Sequence, residues 1–414
     1  MSDTKFGRLA NEVVSGGTQR PAEPGASLGA AVGGGIAWVA LLVYLAFVSP
    51  WMLVFVIGLA VSIMLHELGH FWTARRSGMK ATQFFLGFGP RVWSVHRNGV
   101  EYGLRAIPLG GFVKIVGMTN LDEVAEGDEP YTYREATYPR RMWVITAGSV
   151  MHMIIALAIV TGVYATWGRV EETGRVMISD VEPGTPAAQA GMSPDDVVLA
   201  IDGRPTATST EFRATLASFT PGSAHRFSID REGTTVELTA TLVAHPDFPD
   251  EQRGYLGVRS FSADRVQQPL TDVIVEGPRD LAVALGQATV GVVKVLNPVN
   301  VWGHLTGTND DPTTRPGTII GATRLSDDAG EFEGWPGVLF MLAAVNVSVG
   351  VFNMFPLLPL DGGHAVIATY ERLRSRGGRR YRADISKMMP IAAISIALLA
   401  FMFLTGLYLD TVKF

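Results

Sequence analysis

The chain has 414 residues, which is enough for two or three folding units, and its net charge is −5. Hydrophobic residues make up 47% of it against 18% charged, and the mean hydropathy is +0.23, so the composition favours a membrane protein. The chain has no cysteine, which excludes disulfides, thiolate metal ligands and cysteine nucleophiles. The acidic balance argues against a nucleic-acid binder, which needs clustered basic residues.

The chain begins with a polar segment, and several apolar runs follow it. Residues 1–29 mix Gly, Pro, Ser and charges without periodicity, which predicts a disordered tail. A bilayer is crossed by about 20 apolar residues in a helix. On that basis we expect transmembrane helices at residues 30–48, 51–73, 142–167, 337–364 and 388–409, the first weakened by three consecutive glycines.

Basic residues predict which loops face the cytoplasm, because short cytoplasmic loops collect Lys and Arg. One cluster lies between the second and third spans and another between the fourth and fifth; they include Arg75, Arg76, Arg91, Arg97, Arg105, Arg140 and Arg141, and Arg372, Arg374, Arg376, Arg379, Arg380 and Arg382. Both loops are therefore predicted to be cytoplasmic, and residues 168–336 extracytoplasmic.

Two segments of that outer region are not predicted to span. Residues 264–298 contain a short apolar run interrupted by Gln287 and Lys294, which predicts a helix at the outer interface or against the neighbouring domain. If this segment crossed the bilayer, the second basic cluster would lie outside. Residues 299–335 are rich in Asp, Thr, Gly and Pro without periodicity, and are predicted to be a surface linker.

Residues 66–70 read His-Glu-Leu-Gly-His inside the second span. Two histidines four residues apart share a helix face and can bind one Zn²⁺, and the intervening Glu67 is then placed to act as a general base. Ionisable groups at membrane depth are costly unless they have partners. The pattern therefore predicts a zinc site with His66 and His70 as ligands.

A third ligand is expected, because catalytic zinc usually has three protein ligands. The segment Asn353-Met-Phe-Pro-Leu-Leu-Pro-Leu-Asp-Gly-Gly-His364 lies at the cytoplasmic end of the fourth span. Its prolines break the helix, which is tolerated at that depth where the backbone lines a protein cavity. Asp361 is the favoured ligand, His364 is the competing one, and an ordinary surface turn is the remaining interpretation.

Residues 82–118 are predicted to form a β-hairpin region, because Asn98-Gly99 is a preferred two-residue turn between two extended runs. The flanking apolar stretches are compatible with insertion into the membrane, although an ordinary cytoplasmic hairpin remains open. Residues 173–245 read as strand, small-residue turn, strand, helix and strand pair, and resemble bacterial PDZ domains. Such domains accept an extended chain, but a purely structural spacer is the alternative.

These motifs together resemble the site-2 proteases, zinc metalloproteases that cut peptide bonds within membranes, especially the bacterial branch that regulates sigma factors. The resemblance covers residues 51–409 and rests on HELGH, on GFGP at 87–90, on PLGGFVKIVGM at 108–118, on the PDZ-like middle and on NMFPLLPLDGGH at 353–364. It implies that His66, His70 and Asp361 bind zinc, that Glu67 is the general base and that Asn353 handles the substrate strand or the developing oxyanion.

The resemblance also implies the substrates and the cell compartment. These are membrane-spanning proteins such as anti-sigma factors or remnant signal peptides, cut in the bilayer of the bacterial inner membrane near its cytoplasmic side. The expected fold is a polytopic α-helical membrane protein with a cytoplasmic-side re-entrant β-hairpin or sheet and an extracytoplasmic PDZ-like α+β domain. The PDZ-like domain is expected to filter substrates by the size of their outer part.

One departure from the family concerns the third span, where Gly148-Ser-Val-Met-His152 replaces the usual G-P-x-x-N. His152 is therefore a candidate accessory residue, and an interhelical hydrogen bond without catalytic role is the alternative. Two other functions remain open at this stage. One is a non-catalytic PDZ-bearing membrane adaptor with a structural metal, and the other is a metal or proton transporter.

Overall fold

The computed structural model describes residues 28–118, 122, 124–245, 253–375 and 380–412. Residues 1–27 of the expected disordered tail lie outside this part of the chain, and residues 28 and 29 already belong to the first helix. The chain divides into two compact units, which are treated separately below. The first comprises the described residues up to Val163 and from Thr271 onward, and the second runs from Tyr164 to Leu270.

The N-terminal part of the first unit holds three helices and one pair of long strands. In chain order these are α1 (Leu28–Val48), α2 (Pro50–Arg76), β1 (Ala81–Arg97), β2 (Val100–Ile115) and α3 (Tyr138–Trp167), with a short 3₁₀ turn at Glu129–Tyr131. The Ser49 side chain accepts hydrogen bonds from Trp51 N and Met52 N, and Pro50 is the first residue of α2. This N-cap separates α1 from α2 within one apolar run.

The second unit is a small α+β domain. Its elements are β3 (Arg169–Val181), α4 (Pro186–Ala190), β4 (Val197–Ile201), β5 (Arg204–Pro205), α5 (Ser209–Ser218), β6 (Ala224–Arg231), β7 (Thr234–Thr241), β8 (Val243–Ala244), β9 (Gly254–Tyr255) and β10 (Val258–Val266). The main sheet has the strand order β10-β3-β4-β6-β7. Its core is fully buried and includes Val176, Ile178, Phe212, Phe227 and Ile229.

The domain extends further than the predicted 173–245. Strand β10 pairs with β3 from Val258–Val181 to Val266–Arg169, so the sheet includes residues on both sides of the predicted range. The predicted start of the following helical segment, at residue 264, is therefore wrong. Val266 still belongs to β10, and the helix begins at Leu270. The expected order of strand, turn, strand, helix and strand pair is present.

The C-terminal part of the first unit is helical throughout. It contains α6 (Leu270–Val295), α7 (Pro298–Thr306), α8 (Ile319–Glu333), α9 (Trp335–Asn353), α10 (Asp361–Arg374) and α11 (Met389–Val412), with 3₁₀ turns at Pro312–Thr314 and Ile385–Met388. By length and composition, α2, α3, α9 and α11 can cross a membrane, and α6 with α7 would make a fifth span if the bent pair is counted. Within α1, the segment Val32–Val48 is apolar but shorter than these candidate spans.

The prediction of a surface linker at 299–335 is wrong, because α7 and α8 occupy most of it. Tertiary contacts stabilise α8 at both of its ends. Its N-cap, Thr318, donates hydrogen bonds from both N and Oγ1 to Asp410 Oδ2, at 2.8 and 2.7 Å. At its other end Gly330 packs so closely on Trp51 that a Cβ there would lie 2.4 Å from the indole.

The prediction of an interfacial helix at 264–298 is also corrected, because α6 packs among the candidate spans. Leu281, Ala284 and Ala288 contact the cluster of Ala156, Ala343 and Val347. The small side chains permit this close helix packing, as does Gly277, where a Cβ would lie 2.5 Å from Thr161. Helix α6 is therefore part of the bundle.

The contacts also show that α6 and α7 enter the bundle and return. Trp51 at the start of α2 meets Trp335 at the start of α9 edge to face, with ring centroids 5.6 Å apart. The segment before α8 is bound to Asp410 at the end of α11, so it lies at this same end of the bundle. Helix α6 begins there too, beside the last part of α3, and α7 is bent from it by 68°. The chain therefore enters α6 and reaches α8 at the same end of the bundle.

Strands β1 and β2 fold into a sheet of four segments. The turn between them is left-handed at both Asn98 and Gly99, as the type I′ prediction requires. Residues 91–97 pair with 100–105, residues 83–86 pair with 101–104, and residues 81–86 pair with 111–115. The two edges of this sheet are therefore residues 91–97 and residues 111–115.

Helix α1 contacts the sheet near the first of these edges, at Val92, and also at Arg105 and Ala106 of β2. A Cβ at Gly34 would lie 2.6 Å from Ala106 and 2.8 Å from Val92, so only glycine permits this approach. The Trp38 indole N–H donates to Arg105 O at 2.9 Å. The edge at 111–115 lies at the other side of the sheet, next to α2, where the candidate site is found.

Candidate metal centre

The two histidines of the HELGH motif lie one helical turn apart on α2. Their Nε2 atoms are 3.1 Å apart, and both residues are buried. The spacing of four residues brings the two imidazoles onto one helix face, as the sequence predicts. A single ion between the rings could contact both.

Asp361 joins these histidines from a separate element. It is the first residue of α10, which follows the proline-rich break after Asn353. Its Oδ2 atom lies 3.6 Å from His66 Nε2 and 3.3 Å from His70 Nε2. The three potential ligand atoms all lie within 4.8 Å of one another. In the part of the chain that the structure describes, His66, His70 and Asp361 are the group of acidic and histidine side chains that could hold a metal ion.

The donor set fits a catalytic zinc ion. Two imidazoles and one carboxylate leave a position open for water or substrate, as such sites require. Asp361 Oδ2 is buried and makes no hydrogen bond beyond its contacts with the two imidazoles. A buried carboxylate without further donors is costly unless a cation accompanies it. His364, the competing ligand, lies one turn further along α10 and lines a small cavity with Arg141 and Glu371.

The neighbouring helix α3 orients the histidines. His70 Nδ1 donates to Val144 O at 2.8 Å, which leaves the Nε2 lone pair for a metal. A Cβ at Gly148 would lie 2.3 Å from His66 and 2.5 Å from His70 Nε2. A Cβ at Gly69 would lie 2.8 Å from Ala147 O. Glycines on both helices therefore allow α3 to approach the site this closely.

Glu67 lies between the metal site and the sheet. Its carboxylate accepts a hydrogen bond from the backbone N–H of Val113. A Cβ at Gly111 would lie 3.1 Å from Glu67 Cγ. The edge at residues 111–115 is thus adjacent to the residue expected to act as base, which the sequence could not show.

His152 belongs to a buried polar chain that crosses three helices. Its Nδ1 lies 2.8 Å from Asn346 Oδ1, and Asn346 Nδ2 donates to Leu342 O at 2.8 Å and to Ser62 Oγ at 3.1 Å. The His152 ring is 4.9 Å from the His66 ring, centroid to centroid. Asn346 and Ser62 were missed by the sequence analysis, and a single amide within an otherwise apolar span was the available signal.

Asn353 stands apart from this group. It is the last residue of α9 and is partly exposed. Within the described residues its side chain makes no hydrogen bond. The structure therefore brings together His66, Glu67, His70, Asp361 and His152, whereas the role expected of Asn353 depends on a bound peptide.

Comparison with known proteins agrees with this site. The family model described as "Peptidase family M50" matches residues 54–400. The zinc metalloprotease Rip1 of Mycolicibacterium smegmatis is 31% identical over 390 residues, covering 85% of this chain and 95% of the relative. Rip1 of Mycobacterium tuberculosis (strain ATCC 35801 / TMC 107 / Erdman) is 32% identical over 388 residues, with the same coverage. Metalloprotease MmpA of Caulobacter vibrioides is 28% identical over 358 residues, covering 77% of this chain and 85% of the relative.

Among solved structures, the PDZ domain of an SdrC-like protein from Listeria monocytogenes is 20% identical, with a TM-score of 0.19; the match covers 22% of this chain and 92% of that one. The chain belongs to peptidase family M50, the site-2 protease family, and is a zinc metalloprotease. The resemblance inferred from the motifs is confirmed.

Proposed function

We propose that this intramembrane metalloprotease cleaves single-span membrane proteins within or near their membrane segment, at the cytoplasmic side. The observation that carries the proposal is the position of Glu67 between the group of His66, His70 and Asp361 and the sheet edge at residues 111–115. A base, a metal-binding group and a strand edge in one place are the parts that hydrolysis of an extended peptide requires.

The residues around the site have separate tasks. Zinc held by His66, His70 and Asp361 would supply a Lewis acid that polarises a carbonyl and activates water. Glu67 accepts the proton at its carboxylate and passes it to the leaving amine. Val144 O holds the His70 tautomer that binds metal. Asn353 is placed at the end of α9 to contact the substrate strand or the developing oxyanion.

Substrate presentation follows from the free sheet edge. A transmembrane helix hides its carbonyls in its own hydrogen bonds, so it must become extended before water can attack. An extended segment could add to residues 111–115 as a further strand, with the main chain supplying the hydrogen bonds. At the opposite edge α1 contacts Val92, whereas the edge at residues 111–115 lies beside Glu67. The position of the base therefore favours addition at residues 111–115.

The membrane orientation follows the basic clusters. Those clusters flank α2, α3, α9 and α11 at the end where Asp361 lies, so we assign this end to the cytoplasm. The unit of residues 164–270 is then extracytoplasmic, and its PDZ-like fold suits it to filter substrates by their outer part. Anti-sigma factors and remnant signal peptides of the bacterial inner membrane are the substrate classes proposed, with cleavage as a step of regulated intramembrane proteolysis.

The alternative function, a non-catalytic membrane adaptor with a structural metal, explains less of the site. A structural metal needs no neighbouring base, yet Glu67 is half-buried beside the metal-binding group and accepts a hydrogen bond from Val113 N–H. The test of the proposed function is the position of the cut. A tagged single-span substrate is incubated with the full chain in bacterial membranes, and the products are sequenced by mass spectrometry. The proposal expects a cut in the cytoplasmic half of the membrane segment, whereas cuts confined to the outer domain would contradict it.

A further inference from the structure

A cavity lies away from the metal centre, along the C-terminal half of α10 beyond Asp361. Its volume is about 290 Å³, and it opens between the start of α3, the end of α10 and the segment before α11. The charged side chains that line it are almost all of one sign. They are Arg134, Arg141, Arg372, Arg380 and Arg382, with Glu371 as the acid.

The charges of this cavity do not balance. Arg141 pairs with Glu371 at 2.6 Å, and Arg134 pairs with Glu129 at 2.5 Å. Arg380 and Arg382 share a single carboxylate, Glu135. Among the residues that the structure describes, Arg372 forms no ion pair and is exposed. The lining therefore holds five guanidinium groups and one carboxylate, and among the described residues Arg380 and Arg382 have one ion-pair carboxylate between them.

The cavity lies where a membrane span begins. Tyr138 and Pro139, the first two residues of α3, line it, and Trp143 one turn later is 57% exposed. Aromatic side chains at the end of a span are typical of the headgroup level of a bilayer. Unpaired N–H groups at a helix start also favour an anion. The most abundant anion at that level is the phosphate of a lipid.

The uncharged part of the lining suits a lipid better than a free ion. Ala136, Pro139 and Ala368 contribute apolar surface beside the arginines, and Tyr138 and Tyr381 contribute rings. A volume of about 290 Å³ exceeds what one phosphate ion fills. Basic pockets between membrane helices bind lipid headgroups for these reasons.

We propose that this arginine-lined cavity binds the headgroup of an anionic phospholipid such as phosphatidylglycerol. The phosphate contacts Arg372 and the Arg380–Arg382 pair that shares Glu135, and the glycerol backbone lies against the apolar part of the lining. A headgroup there would join α3 to α10, whose first residue is Asp361. The inference concerns lipid binding and does not depend on which protein is cleaved.

The test uses the full chain, purified in a neutral detergent and titrated separately with short-chain phosphatidylglycerol, short-chain phosphatidylcholine and inorganic phosphate. The readouts are the thermal unfolding midpoint and the lipid retained in native mass spectra. We expect phosphatidylglycerol to raise the midpoint and to remain bound, with no comparable effect of phosphatidylcholine or phosphate. We also expect the gain to fall as salt is raised, because exposed charges are screened.

A matched pair of variants locates the site. Arg372→Ala removes a lining charge, whereas Arg140→Ala removes an equally exposed arginine that is at the same end of α3 but outside the lining. Arg372→Ala should weaken phosphatidylglycerol binding roughly fivefold, and Arg140→Ala should leave it unchanged. An equal response to both lipids, an equal response to phosphate alone, equal losses in both variants or a gain insensitive to salt would each overturn the proposal.

Discussion

His152 Nδ1 lies 2.8 Å from Asn346 Oδ1, and this contact fixes the proton of a histidine beside the metal-binding group. The amide of Asn346 cannot be reversed, because its Nδ2 donates to the backbone oxygen of Leu342 at 2.8 Å. Oδ1 therefore accepts from His152, so Nδ1 carries the proton and Nε2 of the neutral ring keeps a lone pair. A backbone carbonyl thus determines the tautomer of an imidazole on another helix.

Asn346→Leu should lower both stability and turnover. It leaves the Nδ1–H of a buried imidazole without an acceptor, which costs about 1–3 kcal/mol. It also releases the ring that packs against His66, and changes in such supporting contacts typically cost 10–100-fold in activity or metal affinity. The thermal midpoint and kcat are measured with KM recorded separately. Ser62→Ala, which removes the weaker end of the chain, is the control and should have a smaller effect.

Nitrogen-15 NMR of histidine-labelled protein would show the tautomer directly. His152→Asn identifies the signal by its disappearance. We expect an Nδ1–H tautomer in the wild type and a mixture in Asn346→Leu. A wild-type His152 protonated at Nε2 alone would contradict this assignment.

Gly148→Ala should reduce zinc binding without unfolding α3. The added methyl group would lie 2.3 Å from His66 and 2.5 Å from His70 Nε2, so both imidazoles must move. The same substitution at Gly162 on the same helix is the control, because a Cβ there meets nothing within 4 Å. Zinc per chain is measured by atomic absorption after purification. Full zinc occupancy in Gly148→Ala would contradict this prediction, because it would show that α2 and α3 can separate enough to accept the methyl group.

Asp361→Ala and His364→Ala distinguish the two candidates for the third ligand. Asp361 Oδ2 is 3.3 Å from His70 Nε2, whereas His364 lines the cavity beside Arg141. We expect Asp361→Ala to lose most of its zinc and activity, and His364→Ala to retain its zinc. Loss of zinc in His364→Ala together with retention of zinc in Asp361→Ala would identify His364, and not Asp361, as the third ligand.

Asp196 should make the PDZ-like unit sensitive to acid. The residue is 1% exposed, and burial alone would raise its pKa. Hydrogen bonds from Arg231 at 2.7 Å and from Ser193 N at 2.8 Å outweigh burial and hold the pKa below its usual value. Because the folded-state pKa is the lower one, this stabilisation is present above the unfolded-state pKa of about 4 and is lost as the pH falls through the folded-state pKa.

Comparison of wild type with Asp196→Asn tests this dependence. Hydrogen exchange of residues 164–270 in the full chain reports the stability of the unit. We expect a difference of about 1.5–3 kcal/mol at pH 7, as for hydrogen bonds to charged groups, that shrinks below about pH 4. A difference that is constant across this range would mean that the carboxylate charge contributes nothing.

Local patterns predicted which residues come together as the candidate metal-binding group, but not the contacts that surround this group. His66 and His70 share a helix face because of their spacing, and Asp361 could be expected from a helix break at membrane depth. Asn346, by contrast, gains its role only from helices distant in sequence. No periodicity carries information about which amide will face which imidazole.

The helices at 270–306 and 319–333 were misjudged for a related reason. Helix α8 has a sequence rich in Asp and Gly, and its stability comes from Asp410 and Trp51, which belong to other elements. Helix α6 was assigned to the interface because its apolar run is short and is interrupted by Gln287 and Lys294, although its alanines and Gly277 pack among the spans. In both cases tertiary packing outweighed the local preference of the chain.

The most direct test of the account is cleavage of one tagged single-span substrate by wild type and by Glu67→Gln in the same membranes, with zinc counted in both. The variant keeps the shape of the side chain and its contact with the sheet edge but removes the base. We predict that only the wild type cleaves and that both chains hold one zinc ion. Cleavage by Glu67→Gln at the wild-type rate, with zinc retained, would contradict the assignment of Glu67 as the base.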